Sequence, residues 1–511
     1  MLNNDCCFAC MLFLGIGGIV LKQTNVKLVT IAIFVATFMT AVEGTIVTTA
    51  MPTIVGSLHG IELMNWVFSI YLLTSAMLTP IYGKLTDKIG RKPVFMVGTL
   101  LFIIGSALCG LSFNMHTLIL SRALQGMGAG ALMPVSLTLL ADLYPIEKRT
   151  KVMGYNSTMW GIASVIGPLA GGLIVDTIGW HWIFFINVPI GLVQLLLVFM
   201  SLHEEKRVRQ TKKMDLLGSF LLMLVLLTLL ASFQLLSDQG FHFMVLACLV
   251  ASVLFLALFI KIEKQAQDPI ITLSLFNNPL FIGVNLVAAL VSGILMGVDV
   301  YIPMWMQGVS GLAAGIGGLV LAPISLFWVV GTNFASKLLT KHSIRRVIFI
   351  GLLFILVTTI GLFIAPMNMP AWYFVLLMFV FGLGMGMVIV STTITAQQVV
   401  PKSHLGEATS FNTLVRTIGQ TVMVAIFGLI FNFITNQSLN QVQLAGRTDL
   451  LNQFVNPKTA DQVPEIYHKL LRQVLYDGLH MTFLMTVALV GVSILCVVVY
   501  IRNQVKMNEL N

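Results

Sequence analysis

The sequence predicts an all-α protein that crosses a membrane fourteen times. Its 511 residues are 57% hydrophobic and only 10% charged, and the mean hydropathy is +0.94. A soluble globular chain of this size does not have that balance. Apolar runs of about 20 residues, long enough for a helix to cross roughly 30 Å of hydrocarbon, recur along the chain. The strand alternation of a membrane barrel is absent, so helices are expected to satisfy the backbone.

The apolar runs divide into two groups of six, with two more between them. Two polar linkers, His203–Met214 and Lys261–Pro279, separate the groups. The two spans between these linkers are the inserted pair. The fourteen predicted spans cover approximately residues 28–50, 63–82, 94–113, 117–140, 153–175, 182–201, 215–236, 242–260, 280–305, 312–335, 347–365, 371–394, 407–433 and 478–501.

The positive charges predict the orientation of these spans. The net charge is +9, but the six short connections assigned to the outside contain no Lys or Arg. Most of the 29 basic residues lie in connections on the other side, which is the pattern of cytoplasmic loops. Both termini are therefore expected in the cytoplasm. The basicity indicates topology, and we do not expect nucleic-acid binding.

The expected domain organisation follows from the spans and linkers. We interpret the inserted pair as a lipid-facing spacer between the halves. In chain order we expect a cytoplasmic N-terminal segment of unclear role at 1–27, a six-helix bundle at 28–201, linkers with the inserted pair at 202–279, a second six-helix bundle at 280–502 with an extracellular loop at about 434–477, and a cytoplasmic tail at 503–511.

The remaining chemistry-bearing residues do not indicate a metal, a cofactor or a catalytic centre. Cys6, Cys7 and Cys10 cluster near the start, but no second ligand cluster with zinc spacing accompanies them. The phosphate-binding pattern G-x-x-x-x-G-K-[ST] does not occur, which disfavours ATP-driven transport. We therefore expect neither a metal nor a cofactor.

Four charged residues lie inside predicted spans, away from the first residue of a span. Glu43 and Asp299 are acidic, and Arg122 and Arg416 are basic. A charge in hydrocarbon is costly, so such residues usually face a bundle interior and mark a proton or ion route. We interpret Glu43 and Arg122 as the proton-coupling site, and Asp299 with Arg416 as a substrate or second acidic site. Simpler alternatives are a snorkelling Arg122 and polarity at a helix end for Asp299.

Two basic turns at equivalent places suggest an internal repeat. GKLTDKIGRK (Gly83–Lys92) follows the second span, and SKLLTKHSIRR (Ser336–Arg346) follows the corresponding span of the second half. Parallel repeats of this kind are typical of one large class of carriers. The first turn fits the pattern G-x-L-x-D-x-x-G-R-K, and its Gly83, Asp87, Gly90 and Arg91 are candidates for a conformational latch. The alternative is that the basic residues only fix topology.

These motifs resemble the major facilitator superfamily. The first turn matches its loop between helices two and three, and Arg122 in LSRALQGMGAGA resembles its fourth-helix motif. One further motif is that of the antiporters of this superfamily, G-x(5)-G-P-x-x-G-G; it is matched by Gly161, Gly167, Pro168, Gly171 and Gly172.

Two stretches resemble the fourteen-span drug:proton antiporters within that superfamily. EGTIVTTAMP (Glu43–Pro52) is similar to their first-helix pattern L-D-x-T-I-V-N-V-A-L-P, with Glu43 in place of the aspartate. The Trp180–Gly191 run is similar to W-x-W-I-F-x-I-N-V-P-I-G. An interfacial aromatic belt explains its tryptophans, but it does not explain Asn187.

The resemblance implies a major facilitator fold and a function without enzymatic activity. It implies efflux of lipophilic, often cationic drugs or toxic compounds in exchange for protons, by alternating access, across a bacterial plasma membrane. The implied partners are those small substrates, protons and the lipid bilayer, and the chain is expected to be a monomer. Two alternatives stay open: a proton-coupled exporter of one native metabolite, lipid or siderophore, and a membrane-embedded sensor or enzyme.

Overall fold

The structure, a computed structural model, describes residues 24–204, 216–266, 276–400, 405–442, 444 and 447–501. The cysteine cluster near the start, most of both linkers and the C-terminal tail lie outside the described residues. Within the described part, the chain contains fourteen helices that are long and apolar enough to cross a membrane, and no strand. The prediction of an all-α membrane protein with fourteen spans is confirmed.

Two of the first six helices begin at an asparagine cap. The side chain of Asn25 caps the first helix, and Asn114 forms a capping box at the fourth. The helices are α1 (Val26–Leu58), α2 (Met64–Ile89), α3 (Arg91–Gly110), α4 (Met115–Leu143), α5 (Ile146–Thr177) and α6, which consists of Trp182–Phe185 and Asn187–Ser201.

Eight further helices follow. The first two are the inserted pair, and the other six form the second half. They are α7 (Leu216–Gln239), α8 (Phe243–Glu263), α9 (Pro279–Met304, followed by a π turn at Trp305–Val309), α10 (Ala314–Leu339), α11 (Ile344–Ile364), α12 (Ala371–Gln398), α13 (Leu405–Gln441) and α14 (Glu465–Tyr500).

The connection between α13 and α14 is shorter than the loop expected at 434–477. Both helices continue past their apolar cores, because the polar residues that flank these cores still favour helix. The connection is therefore 442–464, and its described residues include two short helices, Thr448–Phe454 and Pro457–Ala460. We call residues 442–464 the strap.

The two halves repeat the same helix pairings. In the first half, α2 and α3 pack against α4, and α1 packs against α5 and α6. The corresponding helices of the second half pair in the same way, α10 and α11 with α12, and α9 with α13 and α14. Between the halves, α5 packs against α10 and α13 packs against α2. Equivalent helices of the two halves thus make equivalent contacts, as expected for two parallel repeats related by an axis along the membrane normal.

Polar contacts join the halves at one end of the bundle, which we call the closed end. Gln307 Nε2 donates to the Thr49 carbonyl at 2.9 Å, and the Gly315 amide donates to Asp176 Oδ2 at 3.0 Å. The strap contributes as well, because Asn452 Oδ1 accepts from a backbone amide of the first half at 2.8 Å. The closed end is therefore held by both halves and by the strap.

Backbones approach closely where α5 crosses α10 at this end. Gly172 lies against Gly315, and Gly318 lies against the carbonyl of Pro168. A Cβ added at Gly172 or Gly318 would collide with backbone atoms of the other half. Small residues at these positions are what allows the two halves to meet.

The inserted pair packs against the two halves through α7. Leucines of α7 pack against α2 and against α13 in one hydrophobic cluster, and Trp66 Nε1 donates to Gln234 Oε1 at 2.6 Å. The second inserted helix, α8, packs on α7 and exposes most of its surface. α7 therefore contacts both halves, and a lipid-facing role of the inserted pair stays a prediction.

The glycine contact between α5 and α10 predicts the effect of one added methyl group. Gly318→Ala should open the closed end, because the new Cβ collides with the Pro168 carbonyl. Spin labels at Ile178→Cys and Ile466→Cys, exposed residues of opposite halves, in an otherwise cysteine-free chain should report a larger population of long distances by electron–electron resonance.

Gly491→Ala is the matched control, because a Cβ added there meets nothing within 4 Å. Its distance distribution should equal that of the parent chain. An unchanged distribution for Gly318→Ala would contradict the interpretation of this contact.

Candidate functional site

The carboxyl group of Glu43 is buried in the middle of the first half. Its side chain has no exposed surface. Arg122 Nη1 of α4 donates a short hydrogen bond to Oε1, and Asn187 Nδ2 of α6 donates to Oε2 at 2.7 Å. Both carboxylate oxygens are therefore bound by side chains from other helices, as a buried charge requires.

Arg122 is buried just as completely and has several acceptors. Its Nη1 also donates to Gln125 Oε1 at 2.7 Å, and its Nε donates to the Val67 carbonyl at 3.3 Å. The guanidinium lies 4.0 Å from the centre of the Tyr71 ring, where a cation is attracted by the ring face. The snorkelling alternative is wrong, since the side chain is only 2% exposed.

Ser106 of α3 joins the polar groups beside this pair. Its hydroxyl donates to the Phe184 carbonyl at 2.9 Å. Its oxygen accepts from Gln125 Nε2 at 3.1 Å and from Asn187 Nδ2 at 3.0 Å. The network therefore includes residues from α1, α2, α3, α4 and α6. Sequence reasoning did not assign a role to Ser106, because a single serine in an apolar span is common.

The charged residues of the second half do not join this network. Arg416 of α13 is partly buried, and its Nε lies 3.4 Å from Ser292 Oγ of α9. Asp299 is also partly buried on α9, about 10 Å along the helix from Ser292 at 1.5 Å per residue. No ion pair of either residue is present among the described residues. The two are therefore not brought together in this conformation.

The turn between α2 and α3 is tied to α4 and to the segment that follows α6. Arg91 forms an ion pair with Asp142 near the end of α4, with Nε and Oδ2 2.8 Å apart. The Glu204 carboxylate accepts from the amides of Arg91 and Lys92 at 2.8 and 3.0 Å, at the positive end of α3. All of these contacts lie within the first half.

The two glycines of this turn have different roles in the structure. Gly90 ends α2 with φ +98°, and a Cβ added there would lie 2.6 Å from Glu204 Oε2. Gly83 lies within α2, and a Cβ there would meet nothing within 4 Å. The side chain of Asp87 is outside the described part of the structure. Sequence reasoning missed Glu204, which lies at the start of a charged linker.

The residues of the predicted antiporter motif line two faces of α5. Gly167 and Gly171 pack against α1, while Pro168 and Gly172 meet α10 at the closed end. Gly161 has open space around it. The motif therefore places α5 against both α1, which carries Glu43, and the opposite half.

Comparison with known proteins places the chain among transporters. The model of the Major Facilitator Superfamily matches residues 33–424. The multidrug transporter protein MdtP of Bacillus subtilis is 32% identical over 90% of both chains. The multidrug efflux pump SdrM of Staphylococcus aureus is 33% identical over 78% of this chain and 89% of its own length.

A solved structure is similar in fold. It is a bacterial homologue of the human lysosomal transporter Spinster, in an inward-facing and unoccupied conformation, and it aligns with a TM-score of 0.68. The alignment covers 94% of this chain and 98% of that one, at 16% identity. This likeness concerns the fold alone.

Substituting the two glycines of the α2–α3 turn should have opposite consequences. Gly90→Ala should lower the apparent melting temperature, because a residue with a Cβ at this φ costs about 1–3 kcal/mol and the methyl group crowds Glu204. Gly83→Ala should leave it unchanged or raise it, since alanine favours a helix. Thermal unfolding of the purified protein, followed by tryptophan fluorescence, compares them, and equal destabilisation would contradict the assignment.

Proposed function

The chain belongs to the major facilitator superfamily, and we propose that it exports lipophilic, often cationic compounds across the bacterial plasma membrane in exchange for protons. Membership of this family identifies it as a multi-pass membrane transporter of small molecules rather than an enzyme. Relatives that are named as multidrug transporters support drug efflux. The finer statements, proton coupling and alternating access, are inferred from the site.

The observation that carries the proposal is the buried pair of Glu43 and Arg122. A carboxylate without exposed surface is stable only while its cation is present. Protonation removes that charge, and the guanidinium then keeps the Gln125 and Val67 oxygens and the Tyr71 ring as neutral partners. The guanidinium therefore has partners whether Glu43 is ionised or protonated, and a site that loads and releases a proton requires this.

One helix connects this site to the closed end. α1 carries Glu43 and, six residues further on, the Thr49 carbonyl that accepts from Gln307 of the second half. It also packs against α5 and α9. A change in the charge of Glu43 that moves α1 therefore acts directly on contacts between the halves, which is how proton binding would bias alternating access.

We assign the closed end to the outside. The connections at this end are those that lack Lys and Arg outside the strap, and this distribution favours the non-cytoplasmic side. In this orientation both termini lie in the cytoplasm and the outer end is the one held shut. An inward-moving proton then contributes about 2.3 kcal/mol per 100 mV and about 1.4 kcal/mol per pH unit. We propose that one chain, with its two related halves, works as a monomer.

Asp299 is the candidate acid for substrate recognition. It is a partly buried carboxyl group within a membrane helix, and no ion pair of it is present in the described part of the chain. A cationic substrate would supply the missing positive charge. Arg416 of α13, hydrogen-bonded to Ser292 of α9, would attract an anionic group of a substrate.

Removing the acid of α1 tests proton coupling. In proteoliposomes with separately imposed pH and voltage gradients, Glu43→Gln should lose the pH-driven part of substrate transport, because glutamine cannot bind and release a proton. Glu465→Gln changes an exposed acid at the start of α14 and should behave as the parent protein does. Full pH-driven transport by Glu43→Gln would refute the proposed site.

Removing the acid of α9 tests substrate recognition. Asp299→Asn should slow efflux of a cationic dye by roughly tenfold, as expected for loss of about 1.4 kcal/mol of charge attraction, and should spare a neutral lipophilic dye. Asp299→Glu, which keeps the charge, should restore cation efflux. Equal loss for both dyes would contradict a role in charge recognition. A dye panel in which no dye is exported would favour a single native substrate.

A further inference from the structure

Asn187, in the Trp180–Gly191 segment, is a buried polar residue at a break in α6. α6 is interrupted at Ile186, between Trp182–Phe185 and Asn187–Ser201. Asn187 begins the second part and is only 3% exposed. An interfacial aromatic belt accounts for the tryptophans, but it gives no reason for a buried amide at this position.

The contacts of Asn187 fix the direction of its amide. The single hydroxyl proton of Ser106 goes to the Phe184 carbonyl at 2.9 Å, so Ser106 Oγ is left as an acceptor. The nitrogen of Asn187, 3.0 Å from Ser106 Oγ, must therefore be the donor. The second proton of the same nitrogen points to Glu43 Oε2 at 2.7 Å. The amide oxygen faces neither group, and Ser106 holds the donor against the carboxylate.

Few other ionisable groups face Glu43. Arg122 approaches from α4, Tyr71 from α2 and Cys109 from α3. A phenol and a thiol are mostly neutral at physiological pH, so Arg122 supplies the only nearby charge among the described residues. Asn187 is the second donor to the carboxylate, and its contribution does not depend on any titration of its own.

We propose that Asn187 is a positioning residue that stabilises the ionised form of Glu43 and thereby sets the pH at which the site binds its proton. A hydrogen bond donated to the charged form of an acid favours that form. The amide thus keeps proton release possible from a carboxyl group that burial would otherwise hold in its neutral form. This inference rests on the proposed role of Glu43 in proton coupling.

Infrared titration of the purified protein tests it. The protonated-carboxyl band of Glu43 is assigned as the band that Glu43→Gln removes, and its intensity is followed against pH. Asn187→Leu, which keeps the approximate volume without a donor, should bind the proton about tenfold more tightly, so the midpoint moves up by about one pH unit. The pH profile of transport in proteoliposomes should move in the same direction.

Gln194→Leu is the matched control. Gln194 is a fully buried amide on the same helix, and it donates to Thr99 Oγ1 of α3 at 3.2 Å, away from Glu43. It should not move the midpoint. Ser106→Ala removes the acceptor that orients the amide, and it should move the midpoint upward by less than Asn187→Leu does. If Asn187→Leu does not fold, Ser106→Ala replaces it as the test.

An unchanged midpoint in Asn187→Leu, or in Ser106→Ala where only that variant folds, would overturn the proposal, as would an equal shift in Gln194→Leu. These outcomes leave the role of Glu43 intact. If Glu43→Gln removes no titrating band and keeps pH-driven transport, the proposed function itself fails.

Discussion

The first half of the molecule is organised around one buried ion pair. Glu43 and Arg122 have almost no exposed surface, and removing either partner would leave an uncompensated charge at a cost of about 3–5 kcal/mol. That cost explains the number of helices that converge on the pair, since each contributes an acceptor, a donor or a ring. Gly126, Gly128 and Gly130 of α4 allow α2 and α3 to pack closely against the helix that carries Arg122.

The pair and the seam between the halves share α1, and α5 packs on this helix. α1 carries the acid and also touches the second half through Thr49. α5 packs on α1 through Gly167 and Gly171, and on α10 through Gly172. A proton therefore binds within one half but on a helix that belongs to the boundary with the other. This placement lets a local change of charge act on the contacts that decide which end of the bundle is shut.

Hydropathy alone predicted the fourteen spans, because hydrocarbon thickness fixes their length. The same rule singled out Glu43 and Arg122, since charges in apolar runs are rare. The sequence placed both in one proton-coupling site, but their direct ion pair could not be predicted, because periodicity carries no distance between residues of different helices. Ser106 and Gln125 escaped notice for a related reason: neutral polar residues are ordinary in spans. Glu204 was missed because it lies in a charged linker, where one more acid predicts nothing.

The placement of α7 makes the two sides of the molecule unequal. The repeat gives the protein two interfaces between its halves, one between α2 and α13 and one between α5 and α10. α7 covers the first interface. Its leucines contact both α2 and α13, and Trp66 of α2 donates a hydrogen bond to Gln234 of α7. Hydrophobic contacts are not directional, so the leucines of α7 can stay in contact with α2 and α13 when these helices shift. A molecule dissolved in the bilayer therefore meets α7 where α2 and α13 pack together. The interface between α5 and α10 is the one that α7 does not cover.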